Sequence, residues 1–312
     1  MNRLLRTERH LPALDRGTFF SGAKFLRALT LALSAAVLAA ASPALAQNAP
    51  NAAPPGAGGD VADNNRITIG IGAATLPDYE GANSNTITPG AVAIGVVGGH
   101  DFFTRGTQLY VNLLKTQPGP VLNYELGVIG ALRFQRTNKV DNLQVRALGE
   151  LDTAYEVGGY AGVSKTGVIT SEYDTLTARV AYVHDVSSTH DSYVITPQIN
   201  YTTPLSIRTL VSLGASADYV GKGYGRTYFG VSPIGTRLSG LRTYDINDSG
   251  FKNVNVSFFV LQSLSGDIRR GLGVGAGVLY GKMLGKYKNS PLVRDVGDSD
   301  QIAAAAGLTY TF

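Results

Sequence analysis

The chain has 312 residues, of which 44% are hydrophobic and only 16% are charged, and it contains no cysteine. The missing cysteines exclude disulfides, thiolate metal sites, cysteine nucleophiles and a lipid-modified N-terminal cysteine. The formal net charge is +4, but residues 1–46 hold six basic and two acidic residues, and the remainder holds 21 of each. A mature chain without net charge offers no basic surface, so we expect no nucleic-acid partner.

The N-terminus has the features of an export signal. Basic residues within 1–27 precede an apolar run at 28–42, and the sequence ALA at 44–46 fits the small-x-small rule for cleavage before Gln47. The run is shorter than the roughly 20 residues of a membrane-spanning helix. No stop-transfer sequence follows it, so a signal peptide over 1–46 is favoured over a retained membrane anchor.

The next segment, 47–64, consists almost entirely of Pro, Ala, Gly, Asn and Asp. It has very little side-chain surface to bury, and we interpret it as a disordered periplasmic tether. The remaining residues, 65–312, form the predicted folded domain.

Alternation with a period of two dominates residues 65–312. In 121–134, for example, Leu122, Tyr124 and Leu126 alternate with Asn123 and Glu125. Because successive side chains of a strand point to opposite faces, this pattern predicts β-strands with two unlike faces. Eleven segments show it: 66–75, 88–98, 106–115, 121–134, 153–164, 173–186, 192–203, 208–220, 252–260, 271–282 and 303–312.

The composition of the two faces distinguishes a membrane barrel from a soluble all-β protein. One face is free of charge over about ten residues, the length of a tilted membrane-crossing strand. The other is mostly Gly, Ser, Asn and Thr, and aromatic residues cluster near strand ends at Tyr219, Tyr280, Tyr310 and Phe312. The sequence therefore predicts an all-β transmembrane antiparallel β-barrel of the bacterial outer membrane, with a soluble sandwich or lipocalin-like barrel as the alternative.

Bacterial barrels usually have an even number of strands, so eleven segments imply one that is missed or split. The long stretch 221–249 contains RTYFGVS, which has the aromatic composition of a strand. We predict twelve strands with the twelfth in this stretch, and ten as the alternative. The short connection 264–267 suits a periplasmic turn, whereas 286–300 and much of 221–249 suit the outer rim.

The final strand extends to the last residue. Leu308, Tyr310 and Phe312 share the apolar face of this strand, which must pair with the first strand to leave no open edge. A terminal aromatic strand resembles the signal read by the outer-membrane barrel-assembly machinery. We expect these three residues to act as that signal, and the barrel exterior to contact outer-membrane lipid and lipopolysaccharide.

Few patterns in the sequence point to catalysis. HDVSSTHD at 184–191 brings His, Asp and Ser together, but catalytic triads are defined by geometry in space, and a polar hairpin turn is favoured over a lipid hydrolase. The glycines of GLGVGAG at 271–277 alternate with apolar residues and precede no helix, so a phosphate loop is rejected. We expect no enzyme activity, cofactor or metal.

Four charged residues fall among the polar strand faces and are candidates for the lumen: Arg133, Arg179, Arg208 and Asp218. They suit either a small-solute pore or an ion-pair network that plugs the lumen, and the network is favoured in a barrel this small.

Three blocks in the correct order give a resemblance to the MipA/OmpV family of outer-membrane barrels, from about residue 67 to 312. The blocks are PDYEG, TYFGVSPIGTRLSG and NSPLV. Their motif residues are Pro77, Asp78, Tyr79, Gly81, Tyr228, Phe229, Gly230, Ser239, Gly240, Ser290 and Pro291. The family often has a more polar segment before Tyr-Phe-Gly than the GYGR found here.

This resemblance implies a non-enzymatic scaffold that recruits periplasmic murein enzymes, namely a lytic transglycosylase and, through it, a murein synthase. Other members of the family are known as outer-membrane antigens or adhesins. The resemblance brings no catalytic residues with it.

Overall fold

The computed structural model describes residues 65–137 and 140–312, so the predicted signal peptide and tether lie outside the described residues. Twelve antiparallel strands close into one barrel in which sequence neighbours pair and β1 pairs with β12. The strands are β1 Asn65–Pro77, β2 Asn85–Val97, β3 His100–Arg105, β4 Gln108–Lys115, β5 Leu122–Arg133, β6 Ala154–Thr166, β7 Thr175–Asp185, β8 Tyr193–Pro204, β9 Thr209–Val220, β10 Gly250–Ser263, β11 Gly271–Met283 and β12 Asp300–Thr311.

Five short helices lie in the connections between strands: α1 Leu143–Arg146, α2 Lys222–Phe229, α3 Pro233–Ser239, α4 Gly285–Lys288 and α5 Pro291–Arg294. None of these, nor any other helix within the described part of the chain, is long and apolar enough to cross a membrane.

The predicted barrel of twelve strands is confirmed, but the position expected for the twelfth strand is wrong. The additional strand is β3, a six-residue segment between tight turns. The stretch 221–249 forms α2 and α3, and its one strand-like contact is the isolated bridge between Val231 and Tyr244. Tyr228 and Phe229 of RTYFGVS lie at the end of α2. Ser232 and Pro233, a favourable N-cap and first residue of a helix, then begin α3.

The apolar face of the strands forms the outside of the barrel, as predicted. In β5, Leu122, Tyr124 and Leu126 are exposed, whereas Asn123 and Glu125 are buried in the lumen. Exposed aromatic side chains ring both ends, as expected of membrane-interface girdles. At the end of the barrel that holds both chain termini they include Tyr124 and Tyr310. At the opposite end they include Tyr155, Tyr182, Phe251 and Tyr280.

The two ends of the barrel differ in the length of their connections. Both termini of the domain lie at one end, which we call the terminal end, together with the shorter connections 98–99, 116–121, 167–174, 205–208 and 264–270. The opposite end carries three short connections, 78–84, 106–107 and 186–192, and the three longest of the barrel, 134–153, 221–249 and 284–299. Since outer-membrane barrels have short periplasmic turns and longer extracellular loops, we assign the terminal end to the periplasm.

The longer connections fold over and into the barrel at the outer end. We call the segments 78–84, 134–137, 140–153, 221–249 and 284–299 the cap. Aromatic side chains of the cap, Tyr224, Phe229 and Tyr287, join one buried core with wall residues that include Tyr110 and Tyr160. The lumen is therefore filled with side chains from the outer end to about its middle.

Deleting Phe312 is expected to lower the amount of assembled barrel. The Phe312 N–H donates to the carbonyl of Ile67 at 2.9 Å, and its ring packs against Tyr310 with centroids 4.8 Å apart. Loss of the residue removes the last contact of the β1–β12 seam and leaves part of an edge unpaired. Heat-modifiable migration of outer-membrane fractions measures assembly. Phe312→Tyr serves as the control, and equal assembly of the deletion would contradict the expectation.

Candidate functional site

The three motif blocks lie far apart in the chain and meet inside the cap. The Tyr79 hydroxyl donates a hydrogen bond to the carbonyl of Leu292 at 3.0 Å. The Ser290 hydroxyl donates to the carbonyl of Phe229 at 2.7 Å. All four residues are buried, so these motif residues hold separate cap segments together.

The first block also requires its glycine and its aspartate. Gly81 has a φ of +94°, and a Cβ at this position would lie 2.5 Å from the Val293 side chain. Both the backbone conformation and the close approach of Val293 exclude a side chain here. Asp78 accepts the N–H of Asp141 at 2.6 Å, which ties the first turn, directly after Pro77, to the connection between β5 and β6. Burial raises the pKa of Asp78 above its ordinary value.

The second block encodes the capped helix α3. The Ser232 hydroxyl accepts the N–H of Gly235 at the N-cap, and Pro233 follows it at the start of the helix. Gly240 ends the helix in the left-handed conformation with a φ of 73°. The buried Ser239 donates to the carbonyl of Gly235 at 2.7 Å. Gly230 ends α2 in an extended conformation, with its N–H donating to the carbonyl of Arg226.

A buried network of charges, which we call the plug, lies beneath the aromatic residues of the cap. Arg133 donates to both carboxylate oxygens of Glu156 at 2.7 and 2.9 Å. Lys252 donates from Nζ to Glu80 at 2.7 Å. The Tyr224 hydroxyl donates to Glu80 at 2.8 Å and accepts from Arg133 at 3.0 Å. All five side chains are buried, so they link the barrel wall to the cap.

Two further groups extend the plug. Lys252 Nζ also lies 3.5 Å from a carboxylate oxygen of Asp218, and His190 Nε2 lies 3.0 Å from Glu156. A β-bulge between Phe251 and Asn253 turns Lys252 into the lumen. The plug thus sets two cations, Arg133 and Lys252, against the three carboxylates of Glu80, Glu156 and Asp218, with His190 beside them.

Burial raises the pKa of Tyr224 well above its ordinary value, and the nearby carboxylates add to this effect. Tyr224 therefore keeps its proton at physiological pH and remains a hydrogen-bond donor to Glu80. Burial lowers the pKa of Arg136, which lies in the cap, to about 10. Arg136 still carries its charge at neutral pH, so the cap retains a buried cation near the plug.

The four predicted lumen charges occupy different places. Arg133 and Asp218 belong to the plug. Arg179 forms a buried ion pair with Glu125 on the neighbouring wall and lies over the Phe103 ring, with its guanidinium carbon 4.9 Å from the ring centroid. Arg208 lies exposed in the turn between β8 and β9. The structure therefore brings Arg133 and Asp218 together and keeps the other two apart from them.

The 184–191 segment spans the end of β7 and the following turn. The Ser187 hydroxyl donates to Asp185 at 2.5 Å, while His190 points to Glu156 in the plug. Ser188 lies exposed in the turn and has a φ of 61°. These contacts stabilise the hairpin and anchor it to the lumen. Among the described residues, no group of three or more His, Asp or Glu side chains is arranged to hold a metal ion.

A cavity of about 510 Å³ occupies the lumen at the terminal end. Its lining reaches from Phe103 and Arg179, below the plug, to Ser206 and Arg269 in the periplasmic turns. The lumen is therefore filled at the outer end of the barrel and hollow at the periplasmic end.

The sequence-based selection of lumen charges missed Glu80, Glu125, Glu156, Tyr224 and Lys252. Glu125 and Glu156 occupy polar-face positions in their strands, so listing every charged residue on that face would have found them. Glu80 and Tyr224 lie in connections, and Lys252 is turned inward by a bulge. The alternating strand pattern therefore could not predict that these three side chains face the lumen.

Asp174 organises the turn at the rim of the cavity, and its replacement by Asn is expected to destabilise the barrel. It accepts backbone N–H groups of Val168 at 2.6 Å and Ile169 at 2.9 Å, and the Tyr201 hydroxyl at 2.7 Å. These bonds hold its pKa well below the ordinary value of 3.8, against the opposing effect of burial. Because hydrogen bonds to a charged group contribute about 1.5–3 kcal/mol, we expect a loss of that order at neutral pH.

The pH dependence of this loss is a further check. A depressed pKa stabilises the fold above the ordinary value, and the contribution disappears as pH falls through the folded-state pKa. The difference between wild type and Asp174→Asn should therefore shrink below pH 3.8. Urea unfolding in lipid vesicles measures it, with exposed Asp152→Asn as the control. A difference that does not change with pH would contradict the role assigned to the carboxylate.

Comparison with solved structures returns outer-membrane channels at low similarity. The outer membrane channel DcaP of Acinetobacter baumannii is 10% identical with a TM-score of 0.37, over 82% of this chain and 100% of that chain. An outer membrane channel from Pseudomonas putida F1 is 12% identical with a TM-score of 0.39, over 83% and 99%. At these TM-scores the likeness supports no inference about function.

No curated protein matches the sequence. The family described as MltA-interacting protein MipA matches over residues 69–312, which include most of β1, all of β2 to β12 and the three motif blocks of the cap. The chain therefore belongs to the MipA family.

Proposed function

We propose that the protein is an outer-membrane scaffold that recruits a periplasmic murein enzyme of the lytic transglycosylase class and, through it, a murein synthase. The observation that carries the proposal is the asymmetry of the barrel. The cap and plug fill the outer half, whereas the terminal end offers a recess and several turns. The family description as an MltA-interacting protein supports the class of enzyme.

The terminal end is the surface that a periplasmic enzyme can reach. The turns 205–208 and 264–270 lie there, and residues 47–64 join β1 at the same end. We propose that export removes 1–46, that 47–64 forms a tether beside this surface, and that Leu308, Tyr310 and Phe312 direct assembly of the barrel. Lipopolysaccharide would then surround the outer rim.

Site-specific photo-crosslinking in growing cells tests the proposal. A photoreactive residue replaces Ser206, which is exposed in a terminal-end turn, and a control replaces Leu238, which is 65% exposed on the cap. We expect mass spectrometry to identify a murein hydrolase in adducts from position 206 and not from position 238. A hydrolase captured only through the cap, or absent from both positions, would overturn the proposal.

A surface adhesin is the second candidate, and one feature of the cap favours it. Three large apolar side chains are exposed on α1 and α3: Leu143 at 73%, Ile234 at 60% and Leu238 at 65%. Grouped exposed apolar side chains commonly mark interaction surfaces. Replacing all three by Ser should reduce attachment of expressing bacteria to host cells, and unchanged attachment would remove this candidate.

A further inference from the structure

The cavity at the terminal end has one wall built from short polar side chains in two rows across neighbouring strands. Thr166 pairs with Thr175 across β6 and β7, and Thr175 pairs with Thr202 across β7 and β8. Ser164 pairs with Thr177 in the adjacent row. All five side chains line the cavity, so a ligand meets a continuous patch of hydroxyl groups.

Part of this patch is already organised by hydrogen bonds within the wall. The Thr166 and Thr175 hydroxyls lie 3.2 Å apart, and the Thr202 hydroxyl lies 2.9 Å from that of Ser212. A hydroxyl group combines one donor with two acceptor positions. A bonded hydroxyl therefore keeps capacity for a ligand, and its orientation is fixed in advance.

The facing wall carries apolar side chains from β2 beside polar ones, Arg66 and Thr68 from β1 and Thr309 from β12. Val92 and Ile94 line the cavity from β2, which stands across the barrel from β8 in the closed order of twelve strands. Phe259 adds an aromatic ring from β10, two strands from β8 in the closed order, and Gly275 on β11 leaves room for that ring, because a Cβ there would lie 3.1 Å from it. The cavity thus combines a wall rich in hydroxyl groups with apolar side chains elsewhere in its lining.

Charges in the cavity are largely neutralised by each other. Arg179 pairs with Glu125, and Arg269 pairs with Asp267 at 2.9 Å. The other two charged residues of the lining, Arg66 and Asp101, have opposite signs. With no net charge in its lining, the cavity does not select an anion or a cation.

We infer that this cavity binds the end of a neutral, polyhydroxylated chain, an oligosaccharide that enters from the periplasm. A pyranose ring has hydroxyl groups at its edge and C–H groups on its faces, which match the hydroxyl-rich wall and the apolar side chains of the lining. A volume of about 510 Å³ lies within the range of pockets that bind small ligands. The inference goes beyond recruitment of an enzyme and does not depend on it.

Isothermal titration calorimetry of the purified full chain in lipid nanodiscs tests the inference, since glucoside and maltoside detergents would compete. The probes are maltotetraose and the tetramer of N-acetylglucosamine. These two arms distinguish a general glycan site from one that requires N-acetyl groups, as a murein-type chain would supply. Binding of either probe supports the inference, and failure of both to bind at millimolar concentration overturns it.

A variant of the polar wall locates the binding. Ser164→Ala with Thr177→Val removes two hydroxyls from one row, and each neutral hydrogen bond contributes about 1 kcal/mol. We expect affinity to fall about tenfold or more, whereas Thr243→Val on the cap leaves it unchanged. Equal loss in both variants, or none in the cavity variant, would overturn the assignment. If the double variant does not assemble, the two single variants are measured instead.

Recruitment and glycan binding can fail independently. The photo-crosslinking test requires a partner enzyme and no sugar, whereas calorimetry uses the purified chain and a defined sugar. If the chain captures the enzyme but binds neither probe, only the proposed glycan site is refuted. If it binds a probe but captures no enzyme, only the proposed recruitment is refuted.

Discussion

Replacing Arg133 by Ala is expected to lower the free energy of unfolding by about 3–5 kcal/mol, the usual cost of leaving buried charges without a partner. Arg133 donates two hydrogen bonds to Glu156 and a third to Tyr224, and it also lies 3.9 Å from Glu80. In the variant the buried carboxylates of Glu80 and Glu156 lose this cation, and Lys252 remains as the partner of both Glu80 and Asp218.

The effect should centre on the cap, because Tyr224 links Arg133 to α2. We therefore expect faster proteolysis within 221–249 in the variant, in addition to the lower urea midpoint in lipid vesicles. The matched control is Arg294→Ala, which removes an exposed pair with Asp295 and should cost less than about 1 kcal/mol. Similar losses in both variants would show that burial of the network does not determine its contribution.

A double-mutant cycle separates the ion pair from the packing of the long side chains. If Glu156→Gln is added to Arg133→Ala, one of the orphaned charges disappears, so the double variant should be less destabilised than the sum of the single changes. His190 lies beside Glu156, so Glu156→Gln alone is also expected to destabilise the plug. Additive losses would contradict a direct coupling of the two side chains.

The barrel itself could be predicted from the sequence because a membrane sheet imposes a strict period. In β5, Leu126 is 52% exposed on the outer face of the barrel, which makes sense only if lipid covers it. Glu125, one residue earlier, is buried. Each strand repeats this choice between two environments, so even a single sequence carries the pattern many times.

The cap could not be predicted in the same way, since its contacts join residues far apart in the chain without a repeat. Tyr79 and Leu292 are separated by 213 positions, and no local rule connects them. The aromatic content of RTYFGVS favoured a strand, but Ser232 and Pro233 favour the start of a helix, and the buried core of the cap decides between them. β3 escaped detection because its six residues are too few to show an alternating pattern.

The location of the motif residues bears on how the family works. Tyr79, Phe229, Ser239 and Ser290 hold the outer cap together, on the side away from the periplasm. Their contacts are with the cap and not with the surface proposed to meet an enzyme. The motif therefore specifies the fold of the cap, and a partner in the periplasm would be chosen by the terminal-end turns, whose sequences stand outside the motif.

Removing the cap helices is expected to convert the sealed barrel into a conducting pore. Val220 and Gly250 are directly paired across β9 and β10, so an Asn-Gly turn can replace 221–249 and close a two-residue hairpin. The deletion removes the side chains of Tyr224 and Phe229, both fully buried, from the outer half of the lumen. In planar-bilayer recordings the deletion variant should show discrete steps in current, and the wild type should show no conductance above the lipid background.

The charges left in the opened lumen predict the selectivity of the pore. Three carboxylates, Glu80, Glu156 and Asp218, then stand against Arg133 and Lys252 of the plug, and Arg136 and Arg105, which acts on Asp218, add two further cations. Because charge rings along a pore set its ion selectivity and these residues leave no excess of negative charge, the reversal potential in a salt gradient should stay close to zero.

Leu143→Ser serves as the control, because it changes a cap side chain that is 73% exposed and leaves the lumen filled. It should remain non-conducting while migrating as an assembled barrel. A wild-type chain that conducts would revive the solute pore as the function of this protein, since the cap would then open without being removed. A deletion variant that assembles but does not conduct would show that other residues block the lumen, namely the plug residues of the wall together with Tyr287 and Val293.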